Sequence, residues 1–268
     1  MRIYPDKGQT LGLIAGSGRL PLLVARGMHS AGANVACVGL KEQYDLQLPS
    51  LCDKFHTVGI LRIGSWIKLL KRHGVTQAVM IGGVSKRKMH ARRRLLQHVP
   101  DWRAILLWYR HLRHDRRNHA VLAAVADELA RNGITLIDST KYIADHLATA
   151  GVMTRTKPSA QNHADIEFAW PLLQKTVELD IGQSIAVRDR DVIAVEAVEG
   201  TDEMIRRAGS LCPAPGFTLL KTAKADHDMR ADVPTVGLST IIELAKAGGT
   251  CLAVGAGRVI LVDKPAVL

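Results

Sequence analysis

The pattern of apolar and polar positions divides the first half of the chain into alternating strand-like and helix-like stretches. Short apolar runs of strand length are followed by longer stretches in which apolar residues recur at helical spacing. Strands are predicted at 11–15, 34–40, 77–83 and 134–138, and helices at 20–32, 62–74, 101–114 and 119–133. This alternation is typical of a parallel sheet whose strands are connected by helices.

The second half begins with a change of composition. Residues 151–170 are polar and include Lys157-Pro158, which predicts a boundary or a crossover between domains. Beyond them the pattern predicts a hairpin around Arg190 (183–189 and 191–200), a helix from Asp202, strands at 217–220, 251–254 and 259–262, and a helix at 239–248. We therefore predict an α/β protein: a Rossmann-like parallel-sheet domain at 1–150 and a C-terminal α/β domain with a mixed sheet at 151–268.

Composition narrows the class of protein. A chain of 268 residues with 47% hydrophobic residues can build two cores. The four cysteines lie far apart and form no CxxC pair, so the sequence indicates neither a disulfide framework nor a zinc site. Neither the apolar core of a signal peptide nor a run of 18 apolar residues is present. We expect a cytoplasmic protein that is soluble or peripheral to a membrane.

Positive charge is concentrated in one segment, 86–117. This segment contains eleven Lys and Arg residues against Asp101 and Asp115, and so carries +9 of the net charge of +11. The interleaved 102-WRAILLWYRHL-112 adds apolar and aromatic residues. Three uses are open: an ordinary core helix with a solvated basic side, an interfacial helix on an anionic membrane, or a nucleic-acid contact. Of the last two, we favour the membrane surface.

The first candidate motif is 14-IAGSGRLP-21, a predicted strand followed by a glycine-rich turn and a helix start. Glycines allow the backbone to approach an anion closely, and amides at a helix N-terminus favour phosphate. Pro21 stands where a GxGxxG motif has its third glycine, and no GxxxxGK[ST] motif occurs, so binding of a dinucleotide or ATP is not implied. A tight turn without a ligand is the alternative.

The second candidate is the acidic stretch 195-VEAVEGTDEM-204. Thr201 is a good helix N-cap residue, and Asp202 and Glu203 suit the first helical turn, so capping alone can explain these three. It does not explain Glu196 at the end of an apolar strand, or Glu199. Carboxylates in such a place are candidate metal ligands.

The third candidate, 221-KTAKADHDMRADVPTVG-237, is rich in both charges. Its apolar residues are too small and too scattered to bury a helical face, so we predict a loop at a strand end. Carboxylates beside lysines suit phosphoryl chemistry, which needs hard oxygen ligands for Mg²⁺, cations for phosphate oxygens and a group to orient water. A solvated loop of mutually paired charges is the alternative.

The three stretches together resemble the UDP-2,3-diacylglucosamine pyrophosphatase family of lipid A synthesis, in the form distinct from the metallophosphoesterase-type enzymes. The resemblance covers nearly the whole chain, and its most specific parts are AVEAxEGTD and KxxKxxxDxRxDxPTxG. It implies a two-domain α/β enzyme with substrate between the domains. It also implies Mg²⁺-dependent attack of water on the α-phosphorus, which releases UMP and 2,3-diacylglucosamine 1-phosphate (lipid X). Such enzymes work at the cytoplasmic face of the inner membrane, often as homodimers.

The resemblance also assigns roles to matching positions. Asp228 would be the essential carboxylate, as metal ligand or water-orienting base. Arg230 suits a phosphate oxygen, and Asp232 suits the metal or Arg230. The remaining assignments are Lys221 and Lys224 as cations that neutralise the pyrophosphate, Glu196, Glu199 and Asp202 as further metal ligands, and Gly16, Ser17, Gly18, Thr201, Pro234 and Thr235 as substrate contacts.

The sequence departs from the family pattern at three places. Asp226-His227 replaces Gly-Gln, 115-DRRNHA-120 replaces an acidic turn, and Gly255 replaces a glutamate. If those acidic positions touch metal or sugar, affinity, substrate choice or activity is altered. Two alternatives therefore stand beside the pyrophosphatase hypothesis: a homologue that hydrolyses another nucleotide diphosphate, and a noncatalytic nucleotide- or nucleic-acid-binding protein that uses segment 86–117.

Overall fold

The computed structural model describes residues 8–84, 99–113, 118–212, 214, 216–230 and 232–268. The chain forms two compact units. Unit 1 contains residues 1–144 and 228–232, and unit 2 contains residues 145–227 and 233–268. Of the basic segment 86–117, residues 86–98 and 114–117 lie outside the described part. Among the described helices, none combines the length and apolar character that crossing a membrane requires.

Unit 1 is built on a five-stranded sheet in which every pairing is parallel, with the strand order β3-β2-β1-β4-β5. Its described elements are β1 (Thr10–Ala15), α1 (Leu20–Ser30), β2 (Asn34–Leu40), a 3₁₀ helix (Leu48–Leu51), β3 (Lys54–Val58), α2 (Ile63–Arg72), β4 (Gln77–Ile81), α3 (Trp102–Leu107), a π-helix (Trp108–Leu112), α4 (Asn118–Arg131) and β5 (Thr135–Leu136). Strands β1, β2 and β4 are almost entirely buried, which explains their continuous apolar runs.

Unit 2 contains a four-stranded mixed sheet with the order β10-β8-β6-β7 and a two-stranded parallel sheet of β9 and β11. Its elements are a 3₁₀ helix (Ala144–His146, beginning at the last residue of unit 1), α5 (Ala160–Glu178), β6 (Ser184–Arg188), β7 (Asp191–Val195), α6 (Thr201–Leu211), β8 (Phe217–Lys221), β9 (Thr235–Val236), α7 (Leu238–Lys246), β10 (Gly249–Val254), β11 (Ile260–Leu261) and α8 (Lys264–Val267). The predicted α/β class, with a parallel sheet first and a mixed sheet second, is confirmed.

The sequence pattern missed helix α5 and strand β3, besides the short elements β9, α8 and the two 3₁₀ helices. The polar stretch 151–170, interpreted as a boundary, contains the start of helix α5. Its buried side chains recur at helical spacing, but two of them are polar, Asn162 and Asp165, so the apolar period is hidden. Strand β3 was also missed, because its sequence KFHTV pairs only with β2 at the edge of the sheet and buries only Val58 fully.

The predicted hairpin around Arg190 is confirmed. Strands β6 and β7 are antiparallel, and Arg188 pairs with Asp191, so two residues form the turn. Both turn residues are left-handed, with φ of 52° at Asp189 and 59° at Arg190, as a type I′ turn requires. The Arg190 N–H donates to the buried Asp165 carboxylate at 2.8 Å, which holds the turn against α5.

The strain in this turn gives a first prediction. Arg190→Gly should stabilise the protein by about 0.5–1 kcal/mol, because glycine removes the Cβ penalty of a left-handed conformation while keeping the N–H that Asp165 accepts. Thermal unfolding followed by circular dichroism should show a rise in Tm of about 1–4 °C.

The matched control is Asp189→Gly. Aspartate tolerates the left-handed region better than arginine, and Asp189 also accepts a hydrogen bond from Arg188 Nε at 3.2 Å. Asp189→Gly should therefore raise the Tm less than Arg190→Gly does, or lower it. An equal rise in Tm in both variants would contradict the explanation.

Candidate active site

A glycine-rich turn follows β1 in unit 1, as the sequence predicted. Gly16 N donates to Ile81 O at 2.9 Å, and Ser17 and Gly83 exchange two backbone hydrogen bonds of 2.8 and 2.9 Å. These bonds join the loops that follow β1 and β4. Adjacent strands β1 and β4 flank the point at which the strand order reverses, and α/β sheets bind ligands outside the carboxyl ends of their strands at such a point.

Glycine is required here by a close approach of two backbones. A Cβ at Gly16 would lie 2.5 Å from Gly83 O, and one at Gly82, whose φ is 100°, would lie 2.8 Å from Gly16 C. Gly18 has φ of 94°. The Ser17 hydroxyl donates to Gly83 O at 2.9 Å, so its proton is already used within the protein. A substrate role for Gly16, Ser17 and Gly18 stays a prediction.

Asp228 and Arg230 form an ion pair within the charged loop. Arg230 Nε lies 2.9 and 3.0 Å from the two Asp228 carboxylate oxygens, and one terminal nitrogen lies 2.6 Å from Oδ2. The Arg230 backbone N–H also donates to Asp228 Oδ1 at 3.0 Å. The hydrogen bonds that the Arg230 guanidinium donates to Asp228 raise its pKa above the ordinary value. The predicted catalytic carboxylate is thus held by the predicted phosphate-binding arginine.

This loop segment is fixed to unit 1 beyond the end of β5. The buried Ser139 donates to Met229 O through its backbone N–H at 2.9 Å and its hydroxyl at 2.8 Å. Asp232, three residues on, has a left-handed φ of 58°. Met229 therefore lies at the carboxyl edge of the parallel sheet, the edge that also carries the Gly16–Gly18 turn.

Three polar side chains lie at one rung of the mixed sheet in unit 2. Ser184 on β6 pairs with Lys221 on β8, and the Glu196 N–H donates to Ser184 O at 2.9 Å. Cross-strand neighbours point to the same face of a sheet, so these three side chains share the face that packs on α6. All three are buried: Ser184 0%, Lys221 5% and Glu196 8% exposed.

Thr201 connects the two charged members of this rung. Its hydroxyl donates to Glu196 Oε1 at 2.9 Å and accepts from Lys221 Nζ at 2.5 Å. The prediction that Thr201 is a helix N-cap is wrong, because Gly200, with φ of 86°, is the cap residue and Thr201 is the first residue of α6. Its hydroxyl is used for this bridge instead. We call these four residues (Ser184, Glu196, Thr201 and Lys221) the buried polar rung.

Two oxygen atoms of the buried polar rung have no hydrogen-bond partner. They are Glu196 Oε2 and Ser184 Oγ. Leaving a buried oxygen unsatisfied is costly, so these two atoms are candidate contacts for a water, an ion or a ligand. Ser184 was missed by sequence reasoning. In the sequence, Ser184 is only a polar residue at the start of a mostly apolar strand. Its register with Lys221 is visible only in the structure.

The other predicted charges are held by separate partners. Glu199 accepts from Arg207 at 2.6 Å and from the Ala197 N–H at 3.1 Å, and backbone hydrogen bonding in its own turn, together with Arg207, lowers its pKa. Lys224 pairs with Asp180 at 2.7 Å. Within the described ranges, no three His, Cys, Asp or Glu side chains are grouped closely enough to hold a metal ion. The metal role of Glu199 and Asp202 stays a prediction.

Pro234 and Thr235 lie where the charged loop ends. Pro234 is buried and its carbonyl accepts from the Ile260 N–H at 2.9 Å, while Thr235 begins β9. Thr235 thus belongs to the small parallel sheet of unit 2, and Pro234 is hydrogen-bonded to that sheet. A substrate contact for them stays a prediction.

Gly255, one of the departures from the family pattern, is explained by packing. Its N–H donates to Lys221 O at 3.0 Å. A Cβ at this position would lie 2.2 Å from Thr222 Oγ1 and 3.1 Å from Thr222 Cβ, and Thr222 is buried. A side chain at this position would displace Thr222, which is next to Lys221.

Comparison with protein families identifies the family of this chain. The LpxI N-terminal domain family matches residues 10–146, and the LpxI C-terminal domain family matches residues 149–268. The chain belongs to the LpxI family. A curated LpxI relative, the UDP-2,3-diacylglucosamine pyrophosphatase LpxI of Caulobacter vibrioides, is 32% identical over 268 residues, which cover 96% of this chain and 92% of the relative. The family resemblance noted in the sequence is confirmed.

Similar solved structures are distant. N5-carboxyaminoimidazole synthetase from Staphylococcus aureus has 15% identity and a TM-score of 0.26, over 76% of this chain and 45% of that one. UDP-glucose-4-epimerase from Stenotrophomonas maltophila, solved with NAD and formylated UDP-arabinopyranose, has 8% identity and a TM-score of 0.30, over 93% and 79%. The chain spans less than half the length of the synthetase. These likenesses are too weak to inform on LpxI chemistry.

The bridge through Thr201 gives a second prediction. Thr201→Val keeps the shape but removes the hydroxyl, so it should destabilise the protein by about 1–3 kcal/mol, because Lys221 and Glu196 each lose a buried hydrogen bond. Urea unfolding followed by circular dichroism measures this. Thr201→Ser, which keeps the hydroxyl, should cost less, and a valine variant as stable as the wild type would show that the bridge contributes nothing.

Proposed function

We propose that this protein hydrolyses the pyrophosphate bond of UDP-2,3-diacylglucosamine and releases UMP and 2,3-diacylglucosamine 1-phosphate in lipid A synthesis. The observation that carries the proposal is the 32% identity, over 96% of the chain, to a relative named for this reaction. The substrate is an acylated nucleotide sugar, so we place the reaction at the cytoplasmic face of the inner membrane. The homodimer implied by the family resemblance is part of the same proposal.

The side chains needed for this chemistry are present in both units. Hydrolysis of a diphosphate requires cations that offset the charge of the phosphate oxygens and a group that orients the attacking water. In unit 2, Lys221 is held by Thr201 through one of its three N–H groups. The ammonium is thereby oriented before a phosphate arrives. In unit 1, Asp228 is the proposed water-orienting base or metal ligand, and Arg230 is the proposed contact for a phosphate oxygen.

Magnesium is the proposed cofactor, and the donor atoms of the buried polar rung fit it. Mg²⁺ prefers hard oxygen ligands and is usually bound by one or two carboxylates plus waters and substrate phosphates. Glu196 Oε2 is such an oxygen, buried and without a hydrogen-bond partner, while Oε1 is occupied by Thr201. When bound, the ion would supply charge neutralisation at the phosphate oxygens. Glu196 would hold it, and Thr201 would fix the orientation of the Glu196 carboxylate.

The central test is release of UMP from UDP-2,3-diacylglucosamine by the purified protein. Asp228→Asn should lower kcat by at least about 100-fold, because a positioned acid or base contributes about 10²–10⁴ to a rate. Asp226→Asn is the matched control, since Asp226 is an exposed carboxylate in the same loop, and it should stay within about twofold of the wild type.

The outcomes separate the alternatives. Equal losses in both variants would mean that loop charge, and not Asp228, matters. No UMP release by folded wild type, together with turnover of another nucleotide diphosphate, would mean that the departures at 115–120, 226–227 and 255 go with a changed substrate. No turnover of any such substrate would favour the noncatalytic alternative.

A further prediction concerns magnesium. Glu196→Gln keeps an oxygen that can accept from Thr201 but removes the negative charge, so it should raise the Mg²⁺ concentration for half-maximal activity by about tenfold or more. The measurement is a Mg²⁺ titration of UMP release. Glu203→Gln is the control, because Glu203 is an exposed carboxylate in the first turn of α6 that is paired with Arg206. An unchanged Mg²⁺ requirement in Glu196→Gln would remove Glu196 from the proposed metal site.

A further inference from the structure

The segment formed by α3 and the π-helix presents apolar and aromatic side chains to solvent. Trp102 is 73% and Tyr109 64% exposed, and Ile105 and Trp108 are about half exposed. Single exposed apolar residues are ordinary, but a contiguous group on one short segment indicates an interaction surface. Trp and Tyr are also the residues enriched where a protein surface meets the headgroup level of a membrane.

Spacing places these side chains on one side of the segment. Residues three and four apart on a helix are neighbours, so Trp102, Ile105, Leu106 and Tyr109 form one stripe. On the other side, Ala104 and Leu107 are buried and belong to the core of unit 1. The helix therefore satisfies its core contacts with one side and still has an apolar side in solvent. The ordinary alternative, in which the apolar side fills the core and the basic side faces water, does not account for this second apolar side.

Guanidinium groups lie beside the stripe. A groove of about 270 Å³ next to Trp102 is lined by Trp102, Arg103, Leu106, Leu107, Arg110, Glu128 and Arg131. Glu128 pairs with Arg103 and lies 3.6 Å from Arg131. With Arg110, the groove is lined by three guanidiniums and one carboxylate, so it keeps an excess of positive charge. Beyond the groove, the Arg113 guanidinium lies 4.8 Å from the centre of the Tyr109 ring.

We propose that the stripe of Trp102, Ile105, Leu106 and Tyr109, with Arg103, Arg110, Arg113 and Arg131 beside it, docks on an anionic lipid surface. We call these residues the lipid-facing stripe. Aromatic and aliphatic side chains next to arginines match the two layers of such a surface, because the rings enter the boundary of headgroups and acyl chains while the guanidiniums contact lipid phosphates. A purely apolar protein partner would leave the positive charge of the groove without a counterpart.

The position of the lipid-facing stripe is fixed at the sheet edge that carries the glycine turn. Asp101 caps α3 by accepting from the Ala104 N–H at 2.9 Å. Its other carboxylate oxygen accepts from the Gly64 N–H at 2.6 Å, and its own N–H donates to Leu61 O at 3.0 Å. Leu61 and Gly64 follow the carboxyl end of β3. Docking through the stripe would thus bring lipid to the same edge of the sheet on which Gly16–Gly18 and Asp228 lie.

The test is binding of the whole protein to sedimented vesicles of phosphatidylcholine with and without phosphatidylglycerol. We expect binding to the anionic vesicles and much weaker binding to the neutral ones. The double variant Trp102→Ser and Tyr109→Ser should bind at least about tenfold more weakly, since two large apolar contacts are lost. Arg110→Gln should weaken binding about fivefold, and more salt should weaken wild-type binding. Leu46→Ser, which changes another exposed apolar residue of unit 1, should bind like the wild type.

Other occupants would give different results. Equal binding of the double variant and the wild type to anionic vesicles would overturn the proposal. A wild-type dimer that dissociates in the double variant, without vesicle binding by either, would identify the stripe as a contact between two copies. Binding to single-stranded DNA but not to vesicles would identify it as a nucleic-acid surface. Vesicle binding is measured without turnover, so it is independent of the proposed hydrolysis.

Discussion

Lys221 and Glu196 carry opposite charges at the same rung of the mixed sheet, and both are buried. Buried charges are expensive unless hydrogen bonds compensate them, so the position of each group is constrained by its partner. Thr201 supplies that compensation because one hydroxyl can donate to the carboxylate and accept from the ammonium at the same time. The start of α6, the end of β8 and the residue after β7 are therefore held together by a single hydroxyl group. One carboxylate oxygen, Glu196 Oε2, is buried without a hydrogen-bond partner. The protein therefore keeps a polar site at a cost in stability that an apolar core would avoid.

Unit 1 also brings candidate site residues together, but through the topology of its sheet. Its parallel sheet sends every strand out at the same edge, so loops distant in sequence emerge as neighbours. The Gly16–Gly18 turn is held there by the loop after β4, and Met229 is held there by Ser139. The contact with Ser139 explains why a short piece of the charged loop belongs to unit 1 although the sequence on both sides of it belongs to unit 2.

The sequence predicted most of the elements because most of them bury apolar side chains at a simple period. It failed where a buried face includes polar residues, as in α5, whose Asn162 donates to Thr218 and whose Asp165 holds the hairpin turn. The candidate site also has features that the sequence predicts and features that it does not. The density of charge around 196 and 228 could be recognised in the sequence, but the partners Asp180 for Lys224 and Arg207 for Glu199 could not, because pairing depends on how strands and turns are placed in space.

The pair of Asp228 and Arg230 bears on how an exposed loop can serve an anionic substrate. A guanidinium has five N–H donors in a fixed plane, and the side-chain contacts with Asp228 use only Nε and one terminal nitrogen. The pair thus fixes the plane of Arg230, and a phosphate oxygen can be recognised by donors that the pair does not use. A lysine in place of Arg230 would carry the same positive charge without the fixed plane. An arginine oriented by a carboxylate two residues earlier therefore gives the proposed phosphate contact a fixed direction on a loop that has no helix or strand of its own.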